Sequence, residues 1–198
     1  SMKIVDSISS GDNRVRSLKS PGAGVSDARN CGLEEARGRY VGFLDADDVF
    51  SPDWLETAVS HLDGSPQHSI VSGRTALANS RGCELGIFLG SGQSVTVSEA
   101  WRNPWHLNGV ILRAGLARTV RFKSGLTNGE DHLFNFETLL AAGGTALGVH
   151  SVVAQYRVHE TSTVGTDMRR HEALVEGVVL DLHRRVVDLW PTLNLLSG

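Results

Sequence analysis

Residues 41–49 read VGFLDADDV, a short apolar run that leads directly into carboxylates at Asp45, Asp47 and Asp48. The apolar run has the length and composition of a buried strand. Three acids at the end of such a strand repel one another and lose hydration, so a partner must offset their charge. A hard divalent cation, Mg²⁺ or Mn²⁺, can do so, because it prefers carboxylate oxygens and shares its coordination sphere with substrate phosphates.

The same acids have a second interpretation, as caps of the helix that is predicted after them. Asp48 or Ser51 could accept hydrogen bonds from the first N–H groups of that helix, and Pro52 suits its first turn. Capping explains one acid, or two, but not three. From these residues alone, a metal–phosphate site and a capped helix therefore both remain open.

Composition limits the classes of protein that the chain can belong to. Its 198 residues are 40% hydrophobic and 21% charged, which is typical of one globular domain with a sizeable core. A net charge of −3 without a block of Lys or Arg disfavours a nucleic-acid partner. No apolar stretch approaches the length needed to span a bilayer. Cys31 and Cys83 lack metal-ligand spacing, so we expect two reduced thiols in a cytoplasmic protein.

Helix and strand signals alternate along the chain, which predicts an α/β fold with a mostly parallel sheet flanked by helices. The predicted helices cover residues 3–9, 25–37, 52–62, 130–141 and 167–190, and the predicted strands cover residues 14–19, 40–44, 69–72, 86–89, 94–97, 107–113, 145–149 and 152–158. Basic and acidic residues are interspersed on the last helix, which favours a solvated face; peripheral contact with the inner face of a membrane is the alternative.

Four segments, taken in order, resemble a known family. They are GVSDARNCG at residues 24–32, FLDADD at 43–48, NGED at 128–131 and YRVH at 156–159. Together they resemble the family 2 glycosyltransferases, inverting enzymes on the nucleotide-sugar-binding fold called GT-A. That family shares a Gly-x-Ser-x-Ala-Arg-Asn helix, a Phe-Leu-Asp-x-Asp-Asp strand end with its Asp-x-Asp motif, a Gly-Glu-Asp helix start and a late Tyr-Arg-x-His. Each segment is weak alone, but four in this order form a strong signal.

The chain departs from the family pattern in its first residues. Members usually open with two strands, ending near Pro-x-Tyr-Asn and Asp-Asp-Gly-Ser, that hold the base and ribose. Residues 1–9 here look like the helix that follows the second strand. We therefore expect a GT-A-like, Rossmann-like sheet that lacks the N-terminal strands. The single domain then divides into a nucleotide-binding remnant with the acidic motif (1–62), an acceptor-side half (63–165) and a C-terminal helix (166–198).

The resemblance implies transfer of a sugar from a nucleoside-diphosphate donor, expected to be a UDP-sugar, to an acceptor hydroxyl with inversion. It implies Mg²⁺ or Mn²⁺ as cofactor and a carbohydrate or glycolipid as acceptor. The absent strands leave alternatives: a non-catalytic homologue that binds sugar or nucleotide, or a self-associating interaction module. An uncovered sheet edge is a template for pairing, so we expect a homodimer.

For the metal and donor, the resemblance places Asp45 near the ribose and metal and Asp47 as the likelier direct metal ligand, with Asp48 further out. His159 lies where related enzymes sometimes supply an imidazole near the metal. A histidine on a polar strand edge is favoured over that role, because imidazole is a less natural partner for Mg²⁺ than oxygen. Arg29 is expected near the nucleotide, or else in a salt bridge to a nearby acid, and Asn30 is expected to support the strand-end loop on the donor side.

For catalysis, Asp131 resembles the family's base, and Glu130 beside it would orient it or contact the acceptor. Acids at a helix N-terminus are also favoured by the exposed N–H groups and the helix dipole, so a purely structural role remains open.

Four residues occupy the part of the chain where the family shapes its acceptor pocket: Trp101, Trp105, His106 and Asn108. Aromatic faces stack well on sugar rings, although tryptophans are equally at home in a core.

Overall fold

The computed structural model describes residues 2–90, 94–102, 105–126 and 129–158, and every structural statement below concerns these residues. The helices are α1 Met2–Gly11, α2 Val25–Glu35, α3 Trp54–Gly64, α4 Val97–Arg102, α5 Ala114–Ala117 and α6 Glu130–Ala141, with a 3₁₀ turn at Leu107–Gly109. The strands are β1 Tyr40–Gly42, β2 Val49–Phe50, β3 Ile70–Asn79, β4 Glu84–Leu89, β5 Val95–Thr96, β6 Val110–Arg113 and β7 Thr145–Val158.

The strands form a mixed sheet in the order β1-β6-β3-β7-β2, with β4 beside β3 and β5 beside β7. Of the described pairs, β3 and β7 run parallel, with Val71 opposite Leu147, and the others run antiparallel. The predicted α/β class and GT-A-like arrangement of helices on a sheet are confirmed, but a mostly parallel sheet was wrong. β1 and β3 do run in the same direction, as the α3 connection predicts; β6 then inserts between them, antiparallel to both.

Apolar side chains cover both faces of this sheet. On one face, Trp54, Ala58 and Leu62 of α3 pack against strand residues that include Val71 and Val153. Their spacing of four places all three on one side of the helix. The other face holds a larger cluster beneath α2 and α6, to which both helices contribute buried residues. The core therefore fixes α2 and α6 on the same side of the sheet.

One predicted strand is not found in the structure, and one predicted helix lies outside the described residues. The strand predicted at residues 14–19 is absent, and this stretch has no regular structure. The Arg14 side chain instead donates hydrogen bonds to the Asp12 carboxylate. The predicted C-terminal helix and His159 lie outside the described residues, and the division into three parts stays a prediction. None of the described helices combines the length and apolar character that a membrane crossing requires.

Candidate functional site

The acids after β1 lie in a turn, here called the acid loop, that spans residues 45–48. The Asp48 N–H donates to the Asp45 carbonyl oxygen at 3.1 Å, which folds the loop back on itself. The loop gives its carboxylates different environments: Asp47 is exposed, Asp45 is partly buried and Asp48 is 8% exposed. The three acids are therefore not equivalent.

Arg29 of α2 bridges the acid loop and the start of α6. Its Nη2 donates to both carboxylate oxygens of Asp45, at 2.9 and 3.1 Å, and its Nη1 donates to Glu130 Oε1 at 2.9 Å. Burial lowers the pKa of the guanidinium, but the Asp45 and Glu130 carboxylates outweigh this and hold the pKa above its usual value. The salt bridge that the sequence left open for Arg29 is present, and it reaches two acids.

Asn30, the next residue of α2, contacts the chain that leads towards α6. Its Nδ2 donates to the Phe122 carbonyl oxygen at 2.8 Å, and its Oδ1 accepts from the Phe122 N–H at 2.9 Å. The side chain thus supports the Phe122 segment, whereas we expected it to support the acid loop.

Asp48 ties the acid loop to two distant parts of the chain. Its Oδ1 accepts from the Arg157 N–H of β7 at 2.9 Å, and its Oδ2 accepts from the Asn108 side chain in the 3₁₀ turn. Burial raises the pKa of Asp48 to about 6, against the effect of these hydrogen bonds. A capping role was also open for Asp48 and Ser51, but the Ser51 hydroxyl donates to Val152 and α3 has no side-chain cap at its first residue.

The start of α6 holds the two predicted catalytic acids in separate environments. Gly129 has a φ of 77°, a left-handed conformation that favours glycine and turns the chain into the helix. Glu130 faces Arg29, whereas Asp131 Oδ1 accepts from the His132 N–H at 2.8 Å. Burial raises the pKa of Asp131, but the His132 and His106 side chains and this hydrogen bond outweigh it, so the pKa lies below its usual value. Asp131 is ionised at neutral pH.

The residues expected to bind the acceptor are not all accessible. Trp105 is 3% exposed within the core, and Asn108 is fully buried against Asp48, so neither presents a surface to an acceptor in this structure. The Trp101 side chain lies outside the described residues. His106 is partly buried, and its ring lies 4.6 Å from the Tyr156 ring, centre to centre. Of this group, His106 remains as a candidate contact.

Tyr156 is a site residue that the sequence analysis quoted in a motif but gave no role. Burial, followed by the carboxylates of Asp48, Asp47, Asp131 and Asp45, raises the pKa of its hydroxyl to about 12. Those four acids come from both the acid loop and the start of α6, so the charges of both segments act on the Tyr156 hydroxyl. The Tyr-Arg-x-His motif was the signal that could have identified it.

The carboxylates of the acid loop are not arranged as a preformed metal site. In the described part of the chain, no three His, Cys, Asp or Glu side chains are grouped as they would be to hold an ion. Both carboxylate oxygens of Asp45 accept from Arg29, and both of Asp48 accept hydrogen bonds. The carboxylate of Asp47 is exposed, so it is the acid-loop group most accessible to a hard cation whose remaining ligands are water and substrate oxygens.

A cleft of about 320 Å³ lies between α2 and β1, and its lining includes Leu33, Ala36, Tyr40 and Val41. β1 pairs with β6 on one side, and no other described strand pairs with it. The cleft therefore runs beside an open edge of the sheet.

Comparison with known proteins shows which family the chain is similar to. Residues 1–89 match the model of glycosyl transferase family 2. A Bacillus subtilis protein named "Putative teichuronic acid biosynthesis glycosyltransferase TuaG" is 29% identical over 140 residues, which cover 71% of this chain and 55% of that protein. An uncharacterized glycosyltransferase of Haemophilus influenzae is 26% identical over 164 residues, covering 82% of this chain and 64% of the relative. The chain thus spans between about half and two thirds of the length of these relatives.

Solved structures agree on the fold. Staphylococcus aureus TarS 1-349 superposes with a TM-score of 0.60 at 22% identity, over 79% of this chain and 47% of TarS 1-349. The same protein in complex with UDP-GlcNAc gives a TM-score of 0.62 at 19% identity, over 84% and 48%. The family model and the curated relatives show that the chain is similar to family 2 glycosyltransferases, and the solved structures show that its fold is GT-A-like.

Proposed function

We propose that the chain forms part of an inverting glycosyltransferase that moves a sugar from a UDP-sugar to an acceptor hydroxyl with the help of Mg²⁺ or Mn²⁺. The main support is the Arg29 bridge, which binds Asp45 of the acid loop and Glu130 at the start of α6 and so joins the two acidic segments. The proposed cation ligand Asp47 and the candidate base Asp131 are sequence neighbours of these two bridged acids. The complexes of TarS with UDP-GlcNAc and with UDP support a UDP-sugar as donor.

In this proposal the acid loop faces the diphosphate. Asp47 is exposed and would hold the cation, whereas Asp45, already bound to Arg29, would face the ribose. When bound, Mg²⁺ or Mn²⁺ would offset the negative charge that develops on the departing diphosphate.

Asp131 would act on the acceptor from the start of α6. The acceptor oxygen forms a bond to the anomeric carbon while the bond from that carbon to the diphosphate oxygen breaks, and Asp131 takes the hydroxyl proton. Its lowered pKa keeps Asp131 ionised and therefore able to accept a proton at neutral pH, while it also makes the carboxylate a weaker base than one with a pKa near the working pH. His106 lies near enough to lower that pKa and is the candidate contact for a carbohydrate or glycolipid acceptor.

The first experiment is calorimetric titration with UDP in the presence and absence of Mn²⁺, followed by a transfer assay with UDP-GlcNAc. We expect UDP to bind only when Mn²⁺ is present and the product to have inverted anomeric configuration by NMR. Absence of UDP binding at millimolar concentration would overturn the proposal.

A second candidate function, self-association, is favoured by the open edge of β1 and the cleft beside it. Unpaired backbone groups on an edge strand are templates for another strand, and a two-fold dimer satisfies both copies at once. We expect a homodimer in sedimentation velocity. A monomer at the highest accessible concentration would exclude this function.

A further inference from the structure

We propose that Arg29 is a positioning residue, which holds the acid loop and the first turn of α6 in a fixed relation, and that it does not bind the diphosphate of the donor. This inference rests on the proposed function, because it assigns Arg29 a part in assembling that site. It departs from the expectation that Arg29 lies against the nucleotide.

The first support is that both terminal nitrogens of the guanidinium are already engaged. Nη2 binds Asp45 and Nη1 binds Glu130, each through charge-assisted hydrogen bonds with a closest distance of 2.9 Å. The planar guanidinium presents its donors in a rigid fork, so one arm cannot turn away while the other stays in place. A phosphate that approached either terminal nitrogen would lie beside the carboxylate of Asp45 or Glu130, which bears the same sign of charge.

The second support is burial. The Arg29 and Glu130 side chains are each 12% exposed, and Asp45 is 35% exposed. A partly buried charge is tolerated when its partners are present, and removing one partner leaves the other uncompensated. The three groups therefore act as a unit, and the position of each depends on the other two.

The third support is the aromatic layer beneath the guanidinium. The Arg29 guanidinium carbon lies 5.4 Å from the centre of the Phe122 ring. Phe122 stacks on Phe134 of α6 at 3.9 Å, and Phe43, which follows β1, meets both rings edge-on. Asn30 fixes the Phe122 backbone through two hydrogen bonds.

Two consecutive residues of α2, Arg29 and Asn30, thus both link this helix to α6, but through different kinds of contact. Arg29 joins the acid loop to Glu130 through charge, and Asn30 joins α2 to Phe122 and, through ring stacking, to α6. Asp131 is the residue after Glu130, so the direction in which its carboxylate points depends on this link. A displacement of a reacting group by about 1 Å can cost a hundredfold in rate.

The closing experiment compares Arg29→Met with Arg39→Met, a matched control that removes an exposed ion pair with Asp63. For Arg29→Met we expect kcat to fall by about tenfold or more, and by a larger factor than the KM for the donor or the Kd for UDP with Mn²⁺ rises, because the displaced acid loop also weakens donor binding to a smaller extent. Arg29→Lys should not restore kcat, because a lysine is a point charge that meets one carboxylate at a time. Glu130→Gln should lower kcat similarly, and the double variant should be no slower than either single variant.

A second readout needs no turnover. Backbone amide exchange in the first turn of α6 should accelerate in Arg29→Met and Glu130→Gln, and should remain at the wild-type rate in Arg39→Met. If the wild type does not transfer sugar, the proposed function fails, and this exchange measurement still decides the role of Arg29. Unchanged exchange in α6, or a tenfold weaker Kd for UDP with kcat unchanged, would overturn the inference.

Discussion

The acid loop and the start of α6 each carry adjacent carboxylates. In each segment the neighbouring acids have different environments, but the cause of the difference is not the same. In the acid loop, burial makes the distinction: Asp47 is exposed, whereas Asp48 is buried with a pKa raised to about 6. At α6, partners make it: Glu130 binds Arg29, and Asp131 is surrounded by histidines that hold its pKa low. The comparison teaches that neighbouring acids acquire different functions from the elements that pack against them, whatever their spacing in sequence.

The largest effect is expected at α6. Asp131→Asn keeps the shape and a hydrogen-bond acceptor at the helix start but cannot take a proton, so we expect transfer to fall by a factor of about 10² or more. The measurement is kcat alongside the Kd for UDP, which should be retained. Near-normal transfer would leave Asp131 with a role at the helix start and none in catalysis.

The next effect concerns the exposed member of the acid loop. Asp47→Ala should weaken Mn²⁺-dependent binding of UDP by about tenfold or more, because it removes the carboxylate proposed to face the cation. Calorimetry measures the binding, and circular dichroism checks that the fold is kept. Asp53→Ala, which removes an exposed acid a few residues further along, is the control and should bind UDP like the wild type. Equal binding by both variants would contradict the assignment.

Much of this comparison could be predicted from the sequence, since it depends on local patterns. The acid loop follows a short strand as the VGFLDADDV pattern indicates, and α6 occupies Glu130–Ala141 as its apolar spacing indicates. The Arg29–Glu130 pair, however, joins residues 101 positions apart, and the placement of β6 between β1 and β3 depends on the whole sheet. Local periodicity carries no information on which distant segments meet.

The same limit explains the acceptor residues. Trp105 and Asn108 are residue types suited to binding a sugar, and their types suggested that role. Asn108 is buried because the 3₁₀ turn packs against the acid loop through the Asn108–Asp48 hydrogen bond, and Trp105 is buried because it belongs to the main core cluster. Tyr156 was missed for the converse reason, because the effect of four carboxylates on the pKa of its hydroxyl depends on how β7 is placed in the sheet.

A smaller effect tests the buried member of the acid loop. Asp48→Ala leaves the Arg157 N–H and the Asn108 amide without their acceptor, which should lower the free energy of unfolding by about 1–3 kcal/mol. Urea denaturation measures this change. Asp6→Ala, an exposed acid on α1, should stay within about 0.5 kcal/mol of the wild type. Equal stability of the two variants would show that the Asp48 hydrogen bonds contribute little.

The smallest effect is a dependence of stability on pH. The folded-state pKa of Asp48 is raised from 3.8 to about 6, so its contribution to stability is fully present below pH 3.8 and is lost as the pH rises through about 6. The protonated carboxyl could donate to Asn108 Oδ1, a buried acceptor that has no hydrogen-bond partner among the described residues. In EDTA, we expect the stability of the wild type relative to Asp48→Asn to fall between pH 4 and 6.5. Parallel pH curves for the two proteins would contradict the raised pKa.

The hydrogen bond from Arg157 to Asp48 also has a consequence for folding kinetics. It joins positions 109 residues apart, and the parallel pair of β3 with β7 likewise spans much of the described chain. Such contacts raise the contact order, and the chain entropy lost in closing so long a loop must be offset before they add stability. We therefore expect the environment of Asp48 to be completed late in folding, after local elements such as α2 and α3 have formed. Protection of the Arg157 amide in a pulsed exchange experiment would mark the moment at which the site is assembled.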